Sequence, residues 1–470
     1  MSCNECDEIE AEVLRRIRPS ESEYALMRRV FEAVKGTLEE ELRARGISVE
    51  VTLQGSVAHD TWLSGDRDLD VFVLFPKDWG LRELKNEGFK IVAEAAQKLG
   101  RLELRYAEHP YVRVQVEDVE VDIVPALKAD APTEARSAVD RTPFHTRFLN
   151  ERLTQEMRDQ ARLLKKFMKA IGVYGAEVKV RGFSGYAAEL LIVRYGSFRN
   201  VLANASSWKP PVFVDVVGLG RPALIALTRR YPDSVMFMPD PVDPNRNVAA
   251  AVSMESLAKF SFASACYLKN PSMAFFEPPR VAPPTTENLA KALEGRCILF
   301  VEFSVDPELP PEVVWGELNR VADRAAKLLA ENDFLVLSSS TWTNEKGFAA
   351  VLIELASCEA PSTKFYEGPP FYEVERALDF VSKHVSRGGR VWIGSDGRLL
   401  AIRRRAFNDA LKLLAERHKQ FVVAPHFKGA NMKIAALNEE SVRKLLTLGA
   451  FDWLAEFVMR TPPWMLSCTG

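Results

Sequence analysis

The sequence lacks a long apolar run, a surplus of either charge and a dense set of cysteines. No uninterrupted apolar segment is long enough to span a bilayer, and the acidic, polar first residues do not resemble a secretory signal peptide. The chain has 62 Lys and Arg against 64 Asp and Glu, a formal net charge of -2. Because this balance excludes a nonspecific polycation, contact with nucleic acid would need a local basic surface. These absences predict a cytoplasmic protein without a membrane segment.

The cysteines are few and widely spread. They are Cys3, Cys6, Cys266, Cys297, Cys358 and Cys468. Such a spread fits reduced thiols in the cytoplasm. The segment from Cys3 to Cys6 has half of a zinc-site spacing, but no second pair with matching ligands follows it. Two incidental thiols at a frayed N-terminus are therefore the simpler interpretation of this pair.

The length of 470 residues exceeds one ordinary hydrophobic core, and the sequence patterns divide the chain into four segments. They predict an α+β, multidomain protein whose third segment has the β-α-β-β-α-β order of a ferredoxin-like layer. In that order the last helix is 371–386 and the last strands form a hairpin at 391–402. The four predicted segments are a small mixed sheet with helices at 1–149, a helical segment at 150–284, the ferredoxin-like layer at 285–405 and a helical segment at 406–470.

Two predicted strands carry acidic residues between apolar ones. Asp68 and Asp70 alternate with apolar residues in 68–75, and Asp122 does so in 119–125. Successive side chains of a strand point to opposite faces, so Asp68 and Asp70 share a face, and Asp122 points away from its own apolar face. If the strands are neighbours, three carboxylates crowd together and favour a divalent cation. Hard oxygen ligands suit Mg²⁺, which keeps waters and substrate phosphates as its other ligands.

A Gly-Ser turn precedes the first acidic strand and is followed by a predicted helix at 57–63. Gly55 lets the backbone approach a ligand, and Ser56 with the N-terminus of the helix offers donors to a phosphate. Two metal ions at such a site would bridge a triphosphate, activate an attacking hydroxyl and neutralise the leaving pyrophosphate. The parts together predict a nucleotidyltransferase in which Asp68 and Asp70 hold both ions. Asp122 would bind the catalytic ion and receive the hydroxyl proton.

Longer stretches carry a resemblance to a known family. The Gly-Ser-x-Ala and Asp-x-Asp pattern is similar to that of the DNA polymerase beta-like nucleotidyltransferases. More specific are the stretches at 105–112, 137–145, 174–177, 179–186 and 241–250. Together they resemble the archaeal, class I CCA-adding enzymes over residues 20–280, with a looser match beyond.

The resemblance implies an activity and a set of binding residues. The activity is stepwise addition of C, C and A to the 3′ end of tRNA, from CTP and ATP, with Mg²⁺ and without a nucleic-acid template. The four segments would be a catalytic head, a neck that completes the nucleotide pocket, a body, and a tail that contacts tRNA. Residues implied near the triphosphate are Gly55, Ser56, His59, Lys165 and Tyr174. Residues implied near the sugar and base are Tyr106, Ala107, His109, His145 and Arg246, with Arg246 reading the base edge.

Two positions depart from the family pattern. His59 stands where the family often has arginine, which leaves the phosphate role of that position open unless Arg67 substitutes. Asp68 stands where glutamate is common, and the shorter carboxylate still binds Mg²⁺.

Simpler interpretations exist for the implied binding residues. Lys165 could lie on the solvated face of an amphipathic helix, Tyr174 could pack at a helix end, and His145 could be a loop histidine. Arg246 could pair with Asp240 or Asp243. The remaining histidines, His384, His418 and His426, have no partner pattern and are predicted to lie at the surface.

Other function classes also remain. A poly(A) polymerase or an oligoadenylate synthetase shares the same head, and a noncatalytic RNA-binding protein or a structural module with solvated carboxylates belongs to a different class. Basic stretches that could follow tRNA phosphates are 403–405, 417–419 and 428–433. The sequence sets no oligomeric state, and a homodimer is compatible with it.

Overall fold

The structure is a computed structural model that describes residues 4–105, 109–278 and 286–468. It divides into two compact units, Met1–Arg280 with Pro462–Gly470 and Val281–Thr461. Among the described residues, every helix is too short or too polar to cross a membrane.

The first unit contains one five-stranded sheet and most of its remaining length is helical. Its strands are β1 (Glu50–Gln54), β2 (Asp68–Phe75), β3 (Leu102–Arg105), β4 (Tyr111–Val116), β5 (Val119–Leu127), β6 (Val212–Phe213) and β7 (Met236–Phe237). Its helices are α1 (Asn4–Ile17), α2 (Glu21–Ala44), α3 (Gly55–Ala58), α4 (Leu81–Glu83), α5 (Phe89–Ala96), α6 (Thr142–Arg152), α7 (Gln155–Ala170), α8 (Gly185–Tyr195), α9 (Phe198–Ala205), α10 (Arg221–Arg230), α11 (Met254–Lys269) and the terminal helix Pro463–Leu466. A π-helical turn at Leu84–Gly88 joins α4 to α5.

The five-stranded sheet has the order β1-β2-β5-β4-β3. Strands β2 and β5 are parallel, and the other neighbours are antiparallel. Val34 and Leu38 of α2 share one buried core with Val71 and Val73 of β2. The alternating pattern explains this arrangement, because β2 turns one side chain in two towards the helices and leaves its acidic positions on the other face.

Local features set the ends of two helices. The helix predicted at 57–63 is shorter, because the chain turns after it and Asp60 takes a left-handed conformation with φ of 54°. Helix α7 begins at Gln155. Thr154 caps it, since its side chain accepts a hydrogen bond from a backbone amide of the first turn.

The helices of the first unit enclose a second core that is rich in aromatic rings. Phe167 of α7 contacts Phe198 and Tyr267, with ring centroids 5.6 and 5.9 Å apart. These side chains are fully buried. Helices α7, α9 and α11 are therefore fixed against one another, which gives the polar residues on their outer turns defined positions.

The prediction of dispersed, reduced thiols is wrong. Cys266 is bonded to Cys468, and Cys297 is bonded to Cys358. The members of these pairs lie 202 and 61 residues apart in sequence, yet their Cα atoms are 4.8 and 5.3 Å apart. Disulfide formation depends on that spatial separation, which sequence spacing does not reveal. Cys3 lies outside the described residues.

The second unit contains two sheets. Its strands are β8 (Cys297–Ser304), β9 (Val336–Thr343), β10 (Phe348–Leu355), β11 (Thr363–Pro370), β12 (Arg390–Ile393), β13 (Arg398–Arg404) and β14 (Asn431–Ala436). Its helices are α12 (Thr286–Leu293), α13 (Pro311–Glu331), α14 (Val374–Val385), α15 (Ala410–Phe421), α16 (Glu439–Thr447) and α17 (Phe451–Met459).

A four-stranded sheet of order β14-β8-β10-β9 confirms the ferredoxin-like layer but changes its members. The elements β8, α13, β9, β10, α15 and β14 follow the β-α-β-β-α-β order. The predicted layer closes instead with α14 and the hairpin β12–β13. Strand β14 was not predicted, because residues 425–433 are mostly polar; within β14, Met432 and Ile434 turn towards the core.

Strands β11, β13 and β12 form a separate three-stranded sheet. The sequence analysis missed β11, since Gly368, Pro369 and Pro370 argue against a strand. Proline is tolerated there because β11 lies at the edge of its sheet. His384 of α14 is buried rather than at the surface, and its ring lies 4.6 Å from that of Tyr366.

Candidate active site

The two acidic strands are hydrogen-bonded neighbours. In the register of the sheet, Asp70 lies beside Asp122 on one side and Gln54 on the other, and Asp68 lies beside Glu120. Asp68 is exposed, whereas Asp70 and Asp122 are half-buried. The parallel pairing of β2 with β5 therefore brings the three predicted carboxylates to one face of the sheet.

Two of the three carboxylates, Asp68 and Asp70, have raised pKa values. Burial raises the pKa of Asp70 to about 6, and the charges of Asp122 and Asp68 add to the effect. Burial and the neighbouring Asp66 also raise the pKa of Asp68. Like charges in a partly dry site disfavour ionisation, and a bound cation would reverse this effect.

Arg113, which the sequence analysis did not single out, pairs with Asp122. Its Nε donates to Oδ1 of Asp122 at 2.7 Å and its Nη2 donates to Oδ2 at 2.8 Å. Its Nη1 lies 2.8 Å from a carboxylate oxygen of Glu120. The hydrogen bond with Asp122 is the main reason that the pKa of Arg113 is raised. The available signal was local, because two alternating strands separated by Glu117 and Asp118 form a hairpin, and the register of that hairpin sets Arg113 opposite Asp122.

The carboxylate donor set fits a hard divalent cation, although the side chains are not gathered as metal ligands. Among the described residues, no group of three or more His, Cys, Asp or Glu side chains is placed to hold a metal ion. Arg113 uses one acceptor position on each oxygen of Asp122, and a carboxylate oxygen has two. All three acids can therefore still offer oxygen to Mg²⁺.

Gly55 lies directly against this acidic face. A Cβ atom at its position would stand 1.9 Å from Oδ2 of Asp70, and its φ is 69°. Both facts require glycine. Ser56 follows it in the one-turn helix α3, and its carbonyl accepts a hydrogen bond from the amide of Thr61. The predicted turn is thus held beside the predicted acids.

A buried polar network lies next to this turn. Nζ of Lys165, which is 2% exposed, donates to Oε1 of Glu189 and to Oγ1 of Thr61, both at 2.8 Å. The ring of His59 is also buried; its Nδ1 lies 3.1 Å from Oε2 of Glu189, and its Nε2 lies 3.0 Å from Oγ1 of Thr146. Lys165 and His59 therefore face protein groups in this structure.

Glu189 is the residue that the sequence analysis missed here. Burial by itself raises its pKa, but the charges of Lys165 and His59 outweigh burial and lower it well below the ordinary value. Glu189 lies in α8, whose other residues are nearly all apolar. One acid in such a helix was the available signal, because a buried charge needs partners.

A second cluster surrounds Asp240, which is fully buried. Oδ2 of Asp240 accepts hydrogen bonds from Nε2 of His145 and from Nη1 of Arg246, each at 2.8 Å. Oδ1 accepts from the hydroxyl of Tyr186 at 3.1 Å. The structure thus brings His145 and Arg246 together and shows the pairing of Arg246 with Asp240 that was the simpler interpretation.

The remaining predicted contacts are more scattered. The Tyr174 hydroxyl would lie 2.8 Å from a Cβ at Gly185, so glycine is needed where α8 begins. Burial raises the pKa of Tyr174. Nε2 of His109 lies 2.7 Å from the carbonyl oxygen of Pro125 in β5. Tyr106 and Ala107 lie outside the described residues.

Family models match three parts of the chain. A nucleotidyltransferase domain matches residues 35–145, and the second domain of tRNA nucleotidyltransferase matches 159–277. The C-terminal domain of the CCA-adding enzyme matches 294–431, a region where the sequence resemblance was looser.

Curated relatives cover most of the chain. A CCA-adding enzyme of Sulfurisphaera tokodaii is 37% identical over 457 residues, which are 97% of this chain and 99% of the relative. A CCA-adding enzyme of Saccharolobus islandicus is 38% identical over 86% of this chain and 90% of the relative. One from Sulfolobus acidocaldarius is 36% identical over the same shares. The chain therefore belongs to the CCA-adding enzyme family.

Proposed function

We propose that this chain adds C, C and A in turn to the 3′ end of tRNA, taking them from CTP and ATP and releasing pyrophosphate. The transfer takes place on the face of the five-stranded sheet that carries Asp68, Asp70 and Asp122. The observation that carries this proposal is the register of β2 and β5, which sets Asp70 beside Asp122. Membership of the CCA-adding enzymes supports the choice of tRNA, CTP and ATP as substrates.

The three acids would hold Mg²⁺, with Asp68 and Asp70 shared between two ions and Asp122 on the catalytic ion. When bound, Mg²⁺ would supply charge neutralisation for the triphosphate and a lower pKa for the attacking hydroxyl. Arg113 keeps Asp122 in one orientation through its two hydrogen bonds. Asp122 then receives the proton of the tRNA hydroxyl.

The Gly-Ser turn would receive the triphosphate. Gly55 permits the close approach of backbone and acid, and Ser56 and Tyr174 would contact phosphate oxygens directly. Lys165 and His59 are hydrogen-bonded to Glu189. They would therefore support the segment after the turn, and they would contact phosphate only if these hydrogen bonds broke. His109, with Tyr106 and Ala107, would line the sugar pocket.

The second unit offers a surface for tRNA. A cavity of about 780 Å³ between α15 and β14 is lined by His418, Lys419, Lys428, Asn431 and apolar side chains that include Phe427. It joins two of the three predicted basic stretches. In the third, two of the three arginines are engaged elsewhere, because Arg405 pairs with Asp333 and Arg403 donates to Tyr366. Lysines at this cavity would bind tRNA phosphates, and the affinity would fall steeply with salt.

The proposal includes the segment roles: head at 1–149, neck at 150–284, body at 285–405 and tail at 406–470, the last contacting tRNA. Within the last range, α15 and β14 also complete the ferredoxin-like layer of the body. A cytoplasmic location follows from a tRNA substrate. A homodimer remains a prediction that a mass measurement in solution can check.

The deciding experiment uses a tRNA transcript that lacks its three 3′ nucleotides. The purified chain is incubated with it, labelled CTP and ATP, and Mg²⁺, and the product is sized. We expect growth by three nucleotides and then a stop. Continued growth on ATP alone would contradict CCA addition and indicate a poly(A) polymerase.

A further inference from the structure

Two of the side chains that the resemblance implies near the sugar and base, His145 and Arg246, are not independent, because they meet on one buried carboxylate. We propose that Asp240 is a positioning residue for nucleotide selection, which sets the orientation of both Arg246 and His145. This inference rests on the proposed role of these two residues in contacting the nucleotide.

The hydrogen-bond geometry around Asp240 is complete. One oxygen, Oδ2, accepts from Arg246 and from His145, and the other, Oδ1, accepts from the hydroxyl of Tyr186 and from the amide of Val242 at 2.9 Å. The donors come from α6, from α8 and from the loop after β7. A single carboxylate therefore ties together three segments of the first unit.

The charge of Asp240 is also stable. Burial raises its pKa, but hydrogen bonds from His145 and Arg246, together with the amide of Val242, outweigh burial and lower that pKa to about 2. The group is therefore ionised at neutral pH and acts only as an acceptor.

Because the carboxylate of Asp240 cannot donate a hydrogen bond, each of its partners must donate one to it. Nε2 of His145 therefore carries the hydrogen of this contact, and the contact fixes the orientation of the ring. The ring of His145 also lies 4.4 Å from that of Tyr186, which limits its rotation.

Asp240 holds one nitrogen of the Arg246 guanidinium, Nη1, and leaves the other nitrogens free of this carboxylate. The side chain of Arg246 is 40% exposed while Asp240 is fully buried, and Nη1 alone is used on the carboxylate. The fork of an arginine is planar, so fixing one nitrogen orients the others. The exposed donors of Arg246 are thereby aimed in a constant direction, which is what reading a base edge requires.

The nearby Asp243 provides a matched control. It lies in the same loop, and its carboxylate accepts from Arg141 at 2.8 Å rather than from Arg246 or His145. Replacing it by asparagine removes the same charge from the same loop and leaves the Asp240 cluster unchanged.

The test compares wild type, Asp240→Asn, Asp243→Asn, Arg246→Ala and the double variant Asp240→Asn with Arg246→Ala. For each, kcat/KM is measured for CTP against UTP on a transcript lacking three nucleotides, and for ATP against GTP on one lacking only the last. We expect Asp240→Asn to lower these ratios by about ten- to hundredfold. The double variant should match Arg246→Ala in these ratios, because Asp240 affects base selection through Arg246, whereas His145 is implied at the sugar, which all four nucleotides share. Asp243→Asn should keep the wild-type ratios.

Each other outcome has a meaning. If Asp240→Asn lowers kcat/KM equally for all four nucleotides and lowers Tm, its role is structural only and the inference is overturned. If Arg246→Ala leaves the ratios unchanged, Arg246 does not read the base. The inference about Asp240 is then overturned as well, because it requires Arg246 to read the base. If Asp240→Asn does not fold, the same ratios are measured for Tyr186→Phe instead. It removes one of the hydrogen bonds to Asp240, so lower ratios support the inference and wild-type ratios overturn it.

Discussion

Arg113 donates two hydrogen bonds to Asp122, one to each carboxylate oxygen, across the antiparallel pair β4 and β5. Both side chains are about one-quarter exposed, at 26% and 24%. A fork of this kind fixes the plane of the carboxylate as well as its charge. The acid proposed to accept the proton from tRNA is thus oriented by a neighbouring strand.

Replacing Arg113 by alanine should slow nucleotide addition while tRNA binding persists. Partners that orient metal-binding carboxylates typically contribute about ten- to hundredfold to activity, and we expect a loss in kcat of that size. The measurement is single-turnover addition of labelled CTP. Arg29→Ala is the matched control, because Arg29 makes the same two-bond contact with the exposed Glu117. An equal loss in kcat in both variants would contradict the proposal that Arg113 orients Asp122.

Removing any one of the three acids should nearly abolish addition. For Asp68→Ala, Asp70→Ala and Asp122→Ala we expect rates lower by about a thousandfold or more, because each loses part of the stabilisation of transition-state charge. A filter assay of tRNA binding should show little change. Asp118→Asn serves as the control, since Asp118 is exposed at the β4–β5 turn and pairs with Arg67. Addition retained in the alanine variants would refute the site.

Gly55→Ala should lower stability and activity more than the same substitution at another glycine with positive φ. Its Cβ would overlap Oδ2 of Asp70, in addition to requiring a positive φ. At Gly46, φ is 77° and nothing lies within 4 Å of the added Cβ. Gly46→Ala should therefore show only the backbone cost, about 1 kcal/mol or somewhat more. Urea unfolding and addition assays of both variants separate the two effects. Full activity in Gly55→Ala would mean that this contact is dispensable.

Glu189 should make stability depend on acid pH. Its pKa is lowered in the folded protein from an ordinary value of 4.5, so its contribution to stability is complete above that value. The contribution is lost as the pH falls towards the folded pKa. Glu189→Gln leaves the buried Lys165 without its charge partner and should cost about 3–5 kcal/mol at pH 7.

The measurement for Glu189 is urea unfolding between pH 7 and pH 3. The difference in unfolding free energy between wild type and Glu189→Gln should shrink as the pH falls below 4.5. The control is Glu302→Gln, because Glu302 also pairs with a lysine, Lys444, but that lysine is about half exposed. If the difference in unfolding free energy between wild type and Glu189→Gln were the same at every pH, the lowered pKa of Glu189 would be contradicted.

The sequence alone determined the elements that carry the chemistry. The alternation of Asp68 and Asp70 with apolar residues predicted β2 with its observed bounds, and the pattern around Asp122 predicted β5 with its acid on the polar face. These features are local, since the period of two and the turn residues act over a few positions. The family resemblance added the activity and the neck residues, which the spacing of residues did not provide.

Only the tertiary structure decided which residues become partners. Arg113 with Asp122 needed the register of two strands, and Lys165, Glu189 and His59 needed α7 and α8 to meet the segment after the turn. The same holds for Asp240, which gathers donors from three segments, and for the disulfide of Cys266 with Cys468. Most of these contacts join positions tens to hundreds of residues apart, and Arg113 and Asp122, which are nine residues apart, lie on separate strands. Their distances follow from packing of the whole core, and a local pattern contains no measure of them.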